Sequence, residues 1–362
     1  MKIAFVVGDI SSTGGIERVM SILSDSFVKH GHEVNIVSFF RAHEKLSYRF
    51  NSSVKIITLS CYEYATKKQG GWSRLNMFLK IIPRARAFFR ENKFDIVLGA
   101  GFPVNATLFF AGNRARTIVC EHTIYNYYSI FIRIIRIYLY KKFLGVVVLT
   151  QNDKKRFDRY LKNTFVIPNP SAFEINQVSS LSSPKMISVG RLEKEKGYDT
   201  LLRILPDVFR AFPQWKLDIW GDGILKNTLL KLRDDLYLQE HVNFCGVTDN
   251  IIQEYLSSSL YVMSSIYEGF GMVLVEAAAC GLPIISFDCP EGPADILKDD
   301  GGILVSPRDT SGLKNAIINM LSNQELRNYY AAKGPDIAKR YSPENIYPQW
   351  EQLLKNLLPD YK

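Results

Sequence analysis

Short apolar runs recur along this chain, and most are followed by a longer segment in which apolar positions return every three or four residues. The runs at 3–7, 34–39, 53–59, 94–99, 117–120 and 146–149 lack the in–out alternation of a half-solvated strand, so they predict strands covered on both faces. A second series restarts at 186–189 and continues through 215–220, 242–245, 260–264, 284–288 and 301–305. Amphipathic segments at 16–29, 72–90 and 131–143, and a last one at 344–358, predict helices. In 72–90, Leu75, Phe78, Leu79, Ile82 and Phe89 fall near one face, which predicts a core-packed helix. Strand–helix alternation on this scale predicts an α/β protein built from βαβ units in two domains. The boundaries expected are a first domain at 1–170, a linker rich in Ser, Asn and Gln at 171–184, and a second domain at 185–341.

Several strand ends carry chemistry. Gly269 and Gly271 open a turn after the 260–264 strand, a short alanine-rich helix follows at 272–280, and Gly281 and Pro283 stop it. Such a junction aims the unpaired N–H groups around Phe270 and Gly271 at one point, where the helix end favours an anion. Glu268 precedes it and Glu276 lies eight positions later, about two helical turns on, so the two carboxylates are spaced to touch separate parts of one elongated ligand. Gly14 and Gly15 sit between the first strand and its helix, where a bare backbone admits a ligand closely. Glu121 and His122 follow the 117–120 strand, at the edge where open α/β sheets bind ligands. Arg191 and Lys196 lie just beyond the 186–189 strand in G-R-L-E-K-E-K-G. Gly221 and Val247 follow the next two strands. No mechanism is evident for the C-P-E-G-P turn at 289–293.

Composition narrows the class. The 362 residues are 47% hydrophobic and 22% charged, which is ordinary for a globular chain. Five scattered cysteines lack C-x-x-C pairing, so reduced thiols and no metal site are expected. The net charge of +9 divides into +15 over residues 1–170 and −6 over the remainder. A basic half facing something anionic is implied. The segment 131–143, FIRIIRIYLYKKF, is aromatic as well as basic, and with 74–93 it is a candidate for contact with an anionic membrane surface. The apolar stretch 131–150 is interrupted by Arg133, Arg136, Lys141 and Lys142, so a membrane span is not expected. No signal peptide is evident. No nucleic-acid-binding module is apparent, and no nucleic-acid partner is expected.

The stretch Y-E-G-F-G-x8-C-G-L-P, with its E-x7-E spacing, resembles the signature of family 4 of the retaining nucleotide-sugar glycosyltransferases. G-R-L-x-x-x-K-G and the N-terminal Gly14-Gly15-Ile16-Glu17 match other loops of that family. The resemblance covers nearly the whole chain. It implies the GT-B fold, two Rossmann-like domains facing across a cleft, with the last helix, 342–362, returning to pack on the first. It implies that Arg191 and Lys196 stabilise a departing diphosphate and that Glu268 binds the transferred sugar. Glu276 would hold the ribose, and Gly221 and Val247 would rim the donor pocket, Val247 meeting the base. Gly14 and Gly15 would lie beside the donor phosphates, and His122 would hydrogen-bond a sugar hydroxyl.

The function implied is retaining transfer of a hexose or N-acetylhexosamine from a UDP-sugar to a lipid-linked glycan, in lipopolysaccharide, O-antigen or capsule synthesis. No metal or other cofactor is expected, and the location implied is cytoplasmic, peripheral to the inner face of the membrane. An epimerase-like GT-B enzyme and a non-catalytic sugar-nucleotide or lipid-binding subunit are the alternatives.

Overall fold

The structure, a computed structural model, describes residues 1–60, 76–171 and 177–358 in full and the backbone of 71–75. Cys61, the side chains of Trp72, Arg74 and Leu75, residues 172–176 of the expected linker and the last four residues of the expected C-terminal helix lie outside the described residues. Two compact units are present, Met1–Ala172 with Pro343–Lys362, and Phe173–Ser342.

The first unit runs β1 (Lys2–Asp9), α1 (Gly15–Lys29), β2 (Glu33–Phe40), β3 (Lys55–Thr58), α2 (Gly71–Glu91), β4 (Ile96–Ala100), α3 (Phe102–Ala111), β5 (Thr117–Cys120), α4 (Ile130–Tyr140), β6 (Gly145–Val148), α5 (Gln151–Phe157) and β7 (Thr164–Val166). Its sheet has the order β3-β2-β1-β4-β5-β6-β7, every pairing parallel. In β1, Ile3 through Val7 are wholly buried, as an unbroken apolar run requires. The second unit runs β8 (Lys185–Val189), α6 (Tyr198–Ala211), β9 (Lys216–Trp220), α7 (Lys226–Asp235), β10 (Val242–Gly246), α8 (Ile251–Leu256), β11 (Leu260–Met263), α9 (Met272–Ala279), β12 (Ile284–Phe287), α10 (Pro293–Ile296), β13 (Ile303–Val305), α11 (Thr310–Ser322), α12 (Gln324–Ala331) and α13 (Gly334–Arg340). Its parallel sheet has the order β10-β9-β8-β11-β12-β13. In both sheets the chain first winds one way from a central strand and then crosses to wind the other way. The crossing opens a crevice at the strand C-termini, beside β1 in one unit and β8 in the other.

The last helix, α14 (Pro343–Leu357), belongs to the first unit. Tyr347 stacks on His30 at 3.6 Å between ring centres, its hydroxyl lies 2.8 Å from His32 Nε2, and Trp350 approaches Phe27. Aromatic packing of this kind ties a helix distant in sequence to α1.

Two expectations about helix faces are corrected. In α2 the inward row is Ile81, Ala85 and Phe89, while Leu79 is 52% exposed. Ala85 carries little hydrophobic signal, but its small side chain lies on the i, i+4 row that meets the core. In α4, Arg136 is buried completely rather than contributing to a solvated basic stripe. Cys120, Cys245, Cys280 and Cys289 are free. Among the described residues, no helix is long and apolar enough to cross a membrane.

Candidate functional site

The crevice of the second unit is built by glycines that let two loops meet. Gly221, at φ +141°, follows β9, and a Cβ there would lie 2.0 Å from the Gly190 carbonyl oxygen. Only glycine fits such an approach. Gly197, in the left-handed region at φ +64°, ends the 190s loop, and a Cβ there would lie 2.2 Å from the Ser264 carbonyl oxygen. The loop is then stitched to the end of β11, because Ser264 Oγ donates to the Lys196 carbonyl and Ile266 N–H donates to that of Glu195.

That stitching delivers Lys196 to Glu268. Lys196 Nζ donates to Glu268 Oε1 at 2.7 Å, and Ser265 Oγ donates to the same oxygen at 2.5 Å. Both charged side chains are mostly buried, so their attraction is less screened than at the surface. Three residues on, Gly271 at φ +92° is the N-cap of α9, with no side chain capping its first N–H groups. Those donors and the Lys196 ammonium give one corner of the crevice the character of an anion site.

The C-P-E-G-P turn has a physical role here. Gly292 packs so closely on the turn before α9 that a Cβ would lie 1.7 Å from the Phe270 carbonyl oxygen. Phe270 itself is buried, edge-on to Tyr341 at 5.3 Å. Its side chain therefore serves packing, leaving its backbone as the group that a ligand could meet.

Glu276 lies on the buried stretch Leu274–Ala279 of α9 and accepts a hydrogen bond from the Tyr255 hydroxyl at 3.3 Å. Arg191 is 66% exposed and pairs with Glu193 at 3.0 Å and Glu195 at 2.9 Å. A hydrogen bond with Glu195, together with partial burial, pushes the Glu193 carboxyl up. Burial opposes ionisation of Glu195, but its own backbone N–H, Glu193, Arg191 and Lys196 together hold it below the usual carboxylate range. Val247 stands on the rim with 77% of its surface exposed. Sequence reasoning missed Ser265, although it lies within the turn that the glycines mark.

His122, Gly14 and Gly15 belong to the first unit. A pocket of about 430 Å³ opens there at the ends of β1, β4 and β5, lined by Asp9, Glu17, His122, Tyr127 and Tyr128 among others. Both His122 ring nitrogens are buried without a hydrogen-bond partner, and burial pushes its pKa down to about 4. A neutral imidazole offers one donor and one acceptor, which suits a sugar hydroxyl. Among the described residues, no atom lies within 4 Å of where a Cβ on Gly15 would stand, whereas a Cβ on Gly14 would meet the Glu17 carboxylate at 2.3 Å. Burial pushes the Glu17 carboxyl up.

Behind His122 lies a network that sequence reasoning also missed. The buried Glu121 carboxylate pairs with Arg136 at 3.5 Å and accepts from the Tyr140 hydroxyl and from Thr123 Oγ. Burial pushes the Glu121 carboxyl up, opposed by the Arg136 charge and the Tyr140 hydrogen bond. Arg136 also donates to the Tyr125 carbonyl at 2.7 Å and lies against the Tyr125, Tyr128 and Phe157 rings. An arginine inside the otherwise apolar I-I-R-I-Y-L-Y run was the available signal. Among the described residues, no three His, Cys, Asp or Glu side chains come together as a metal site would require.

Comparison with known proteins follows this division. A family model described as Glycosyltransferase Family 4 matches residues 13–171, and one described as Glycosyl transferases group 1 matches 172–336. The amylovoran biosynthesis glycosyltransferase AmsD of Erwinia amylovora is 30% identical, covering 98% of this chain and 99% of its own. A GalNAc-alpha-(1->4)-GalNAc-alpha-(1->3)-diNAcBac-PP-undecaprenol alpha-1,4-N-acetyl-D-galactosaminyltransferase of Campylobacter jejuni is 26% identical, covering 98% of each chain. Among solved structures, sucrose-phosphate synthase of Thermosynechococcus elongatus matches with a TM-score of 0.85 at 18% identity, covering 99% of each chain. Anabaena HepE, solved with UDP-glucose, matches with a TM-score of 0.75 at 19% identity, covering 98% of this chain and 100% of its own. These structures share the GT-B fold with this chain.

Proposed function

The chain belongs to glycosyltransferase family 4, and from that premise we propose that it moves a hexose or N-acetylhexosamine from a UDP-sugar to a hydroxyl of a lipid-linked glycan, with retention and without a metal. The Lys196–Glu268 pair, three residues before the α9 N-cap and at the switch point of a parallel sheet, carries this assignment. In the reaction the bond from the anomeric carbon to the β-phosphate oxygen breaks, and the acceptor oxygen bonds to that carbon on the same face. The acceptor proton passes to a phosphate oxygen of the departing UDP.

Lys196, Arg191 and the N–H groups at the start of α9 stabilise the diphosphate as its charge grows, which supplies the cationic role that a metal fills elsewhere. Glu268 holds the sugar hydroxyls and helps to stabilise the positive ring. Glu276 holds the ribose, the Gly221 and Val247 loops rim the donor, and Gly14 and Gly15 lie beside its phosphates. His122, neutral at pH 7, hydrogen-bonds a sugar hydroxyl. The named acceptor of the Campylobacter relative is linked to undecaprenol diphosphate, and HepE was solved with UDP-glucose, both of which support this donor and acceptor class. The setting proposed is lipopolysaccharide, O-antigen or capsule assembly at the inner face of the cytoplasmic membrane, with the basic first unit turned to the anionic surface.

The test is release of nucleoside diphosphate from a panel of UDP-, GDP- and ADP-sugars, with chelator present, with and without a lipid extract as acceptor. Turnover of a UDP-sugar that the extract raises and chelator leaves unchanged is expected. Conversion of the donor with no acceptor would indicate an epimerase instead, and absence of both turnover and UDP binding would overturn the assignment.

A further inference from the structure

A groove of about 690 Å³ runs along α4 and the turn after α5, apart from the pocket that holds His122. Arg133, Lys141, Arg156 and Arg159 line it, together with Tyr138 and Tyr160, and no carboxylate does so among the described residues. Arg133 is held by Asn126 at 2.5 Å, and its Nε is buried without a partner. Arg156 leans on the buried Asp153 at 3.8 Å, which leaves the groove with a strong positive excess.

The same helix presents an uncovered apolar row. Ile130 and Phe131 are each 69% exposed, and Ile134 and Tyr138 follow on that face at helical spacing. The opposite face is anchored by the buried Arg136, Leu139 and Tyr140, so α4 cannot roll to hide the row without unpairing Glu121. A second copy of this chain would bring four more cations against four and be repelled. Phosphate lying beside an apolar layer matches both features at once, and a bilayer surface offers that combination.

We infer that α4 lies on an anionic phospholipid bilayer, with Ile130, Phe131 and Ile134 at headgroup depth and a lipid phosphodiester seated in the groove between Arg133, Lys141 and Arg159. This rests on the membrane reading above and selects the part of the first unit that meets the lipid. The other basic segment, α2, exposes one large apolar side chain, Leu79, among its described residues.

The experiment is co-sedimentation of the full chain with phosphatidylglycerol vesicles, using phosphatidylcholine vesicles as the neutral reference. Selective binding to the anionic vesicles is expected. The triple variant Arg133→Gln, Lys141→Gln, Arg159→Gln should lower partitioning on the order of a hundredfold, about fivefold for each cation. Lys80→Gln, Arg84→Gln, Arg90→Gln, which removes the same charge from α2, should lower it by less than about threefold, because those cations would lie beyond the screening length. Ile134→Ser with Tyr138→Ser should also lower it, with UDP affinity unchanged in every variant. No selective binding by the wild-type chain would overturn both this inference and the membrane reading. Equal losses from the α2 and α4 triples would overturn this inference alone, since attachment would then be diffuse. Displacement by inorganic phosphate at constant ionic strength would overturn the bilayer as the occupant. UDP-sugar turnover reports on the transferase assignment separately from all of these.

Discussion

Lys196 Nζ donates to Glu268 Oε1 at 2.7 Å, and Ser265 Oγ holds the same oxygen, so the one turn before α9 fixes a cation and a carboxylate side by side. The two groups can part toward different portions of one ligand, the ammonium to phosphate and the carboxylate to sugar hydroxyls. Glu268→Ala is therefore expected to abolish transfer while leaving UDP affinity largely intact. Glu276→Ala should instead weaken UDP binding by about 1.5–3 kcal/mol, the worth of hydrogen bonds to a charged group. Diphosphate release and calorimetric UDP titration separate the two outcomes, and wild-type turnover in both variants would remove the assignment.

Arg191 is exposed to solvent where it pairs with Glu193 and Glu195, so its contribution to stability is small. Its contribution to leaving-group stabilisation is not limited in that way. Arg191→Ala should lower the rate at saturating donor by about 10²–10³-fold, as for loss of one preorganised donor. The unfolding midpoint should hardly move. An unchanged rate would exclude Arg191 from the chemistry.

Burial of His122 ties stability to pH. Its pKa falls from the ordinary 6.5 to about 4 on folding, so the unfolded chain binds the proton more readily. The contribution is fully present above pH 6.5 and is lost as pH falls toward 4, up to about 3 kcal/mol at 1.36 kcal/mol per unit. His122→Gln should remove this component, seen as a flatter difference in urea unfolding free energy between pH 7 and pH 4. Parallel pH profiles for the two proteins would contradict it.

The Glu121–Arg136 pair is buried at both ends. Arg136→Met strands a carboxylate among aromatic rings, and a loss of about 3–5 kcal/mol is expected. The double variant Glu121→Gln, Arg136→Met leaves no uncompensated charge and should recover much of that loss. Urea unfolding of the two variants decides between them, and equal destabilisation would show that packing of the Arg136 side chain, rather than its charge, matters.

The parallel sheets were legible because strands buried on both faces are written as unbroken apolar runs, and the 117–120 run became β5 with the same ends. Helix faces were less legible. Ala85 faces the core and Leu79 does not, since the inward row is chosen by what the helix packs against, a choice that side-chain hydrophobicity only biases. The role of C-P-E-G-P was hidden for a related reason: the group that requires Gly292 to be small is the Phe270 carbonyl, 22 positions earlier.

The sequence by itself determined the α/β class, the strand–glycine–helix junctions and the spacing of Glu268 and Glu276, because these depend on local periodicity and backbone freedom. Only the tertiary structure decided that Lys196 meets Glu268, that Arg136 neutralises Glu121 behind His122, and that α4 turns its apolar row outward. Each of these joins residues from different elements, and a pairing of that kind exists only once close approach and exclusion of water have set which groups share a low-dielectric space.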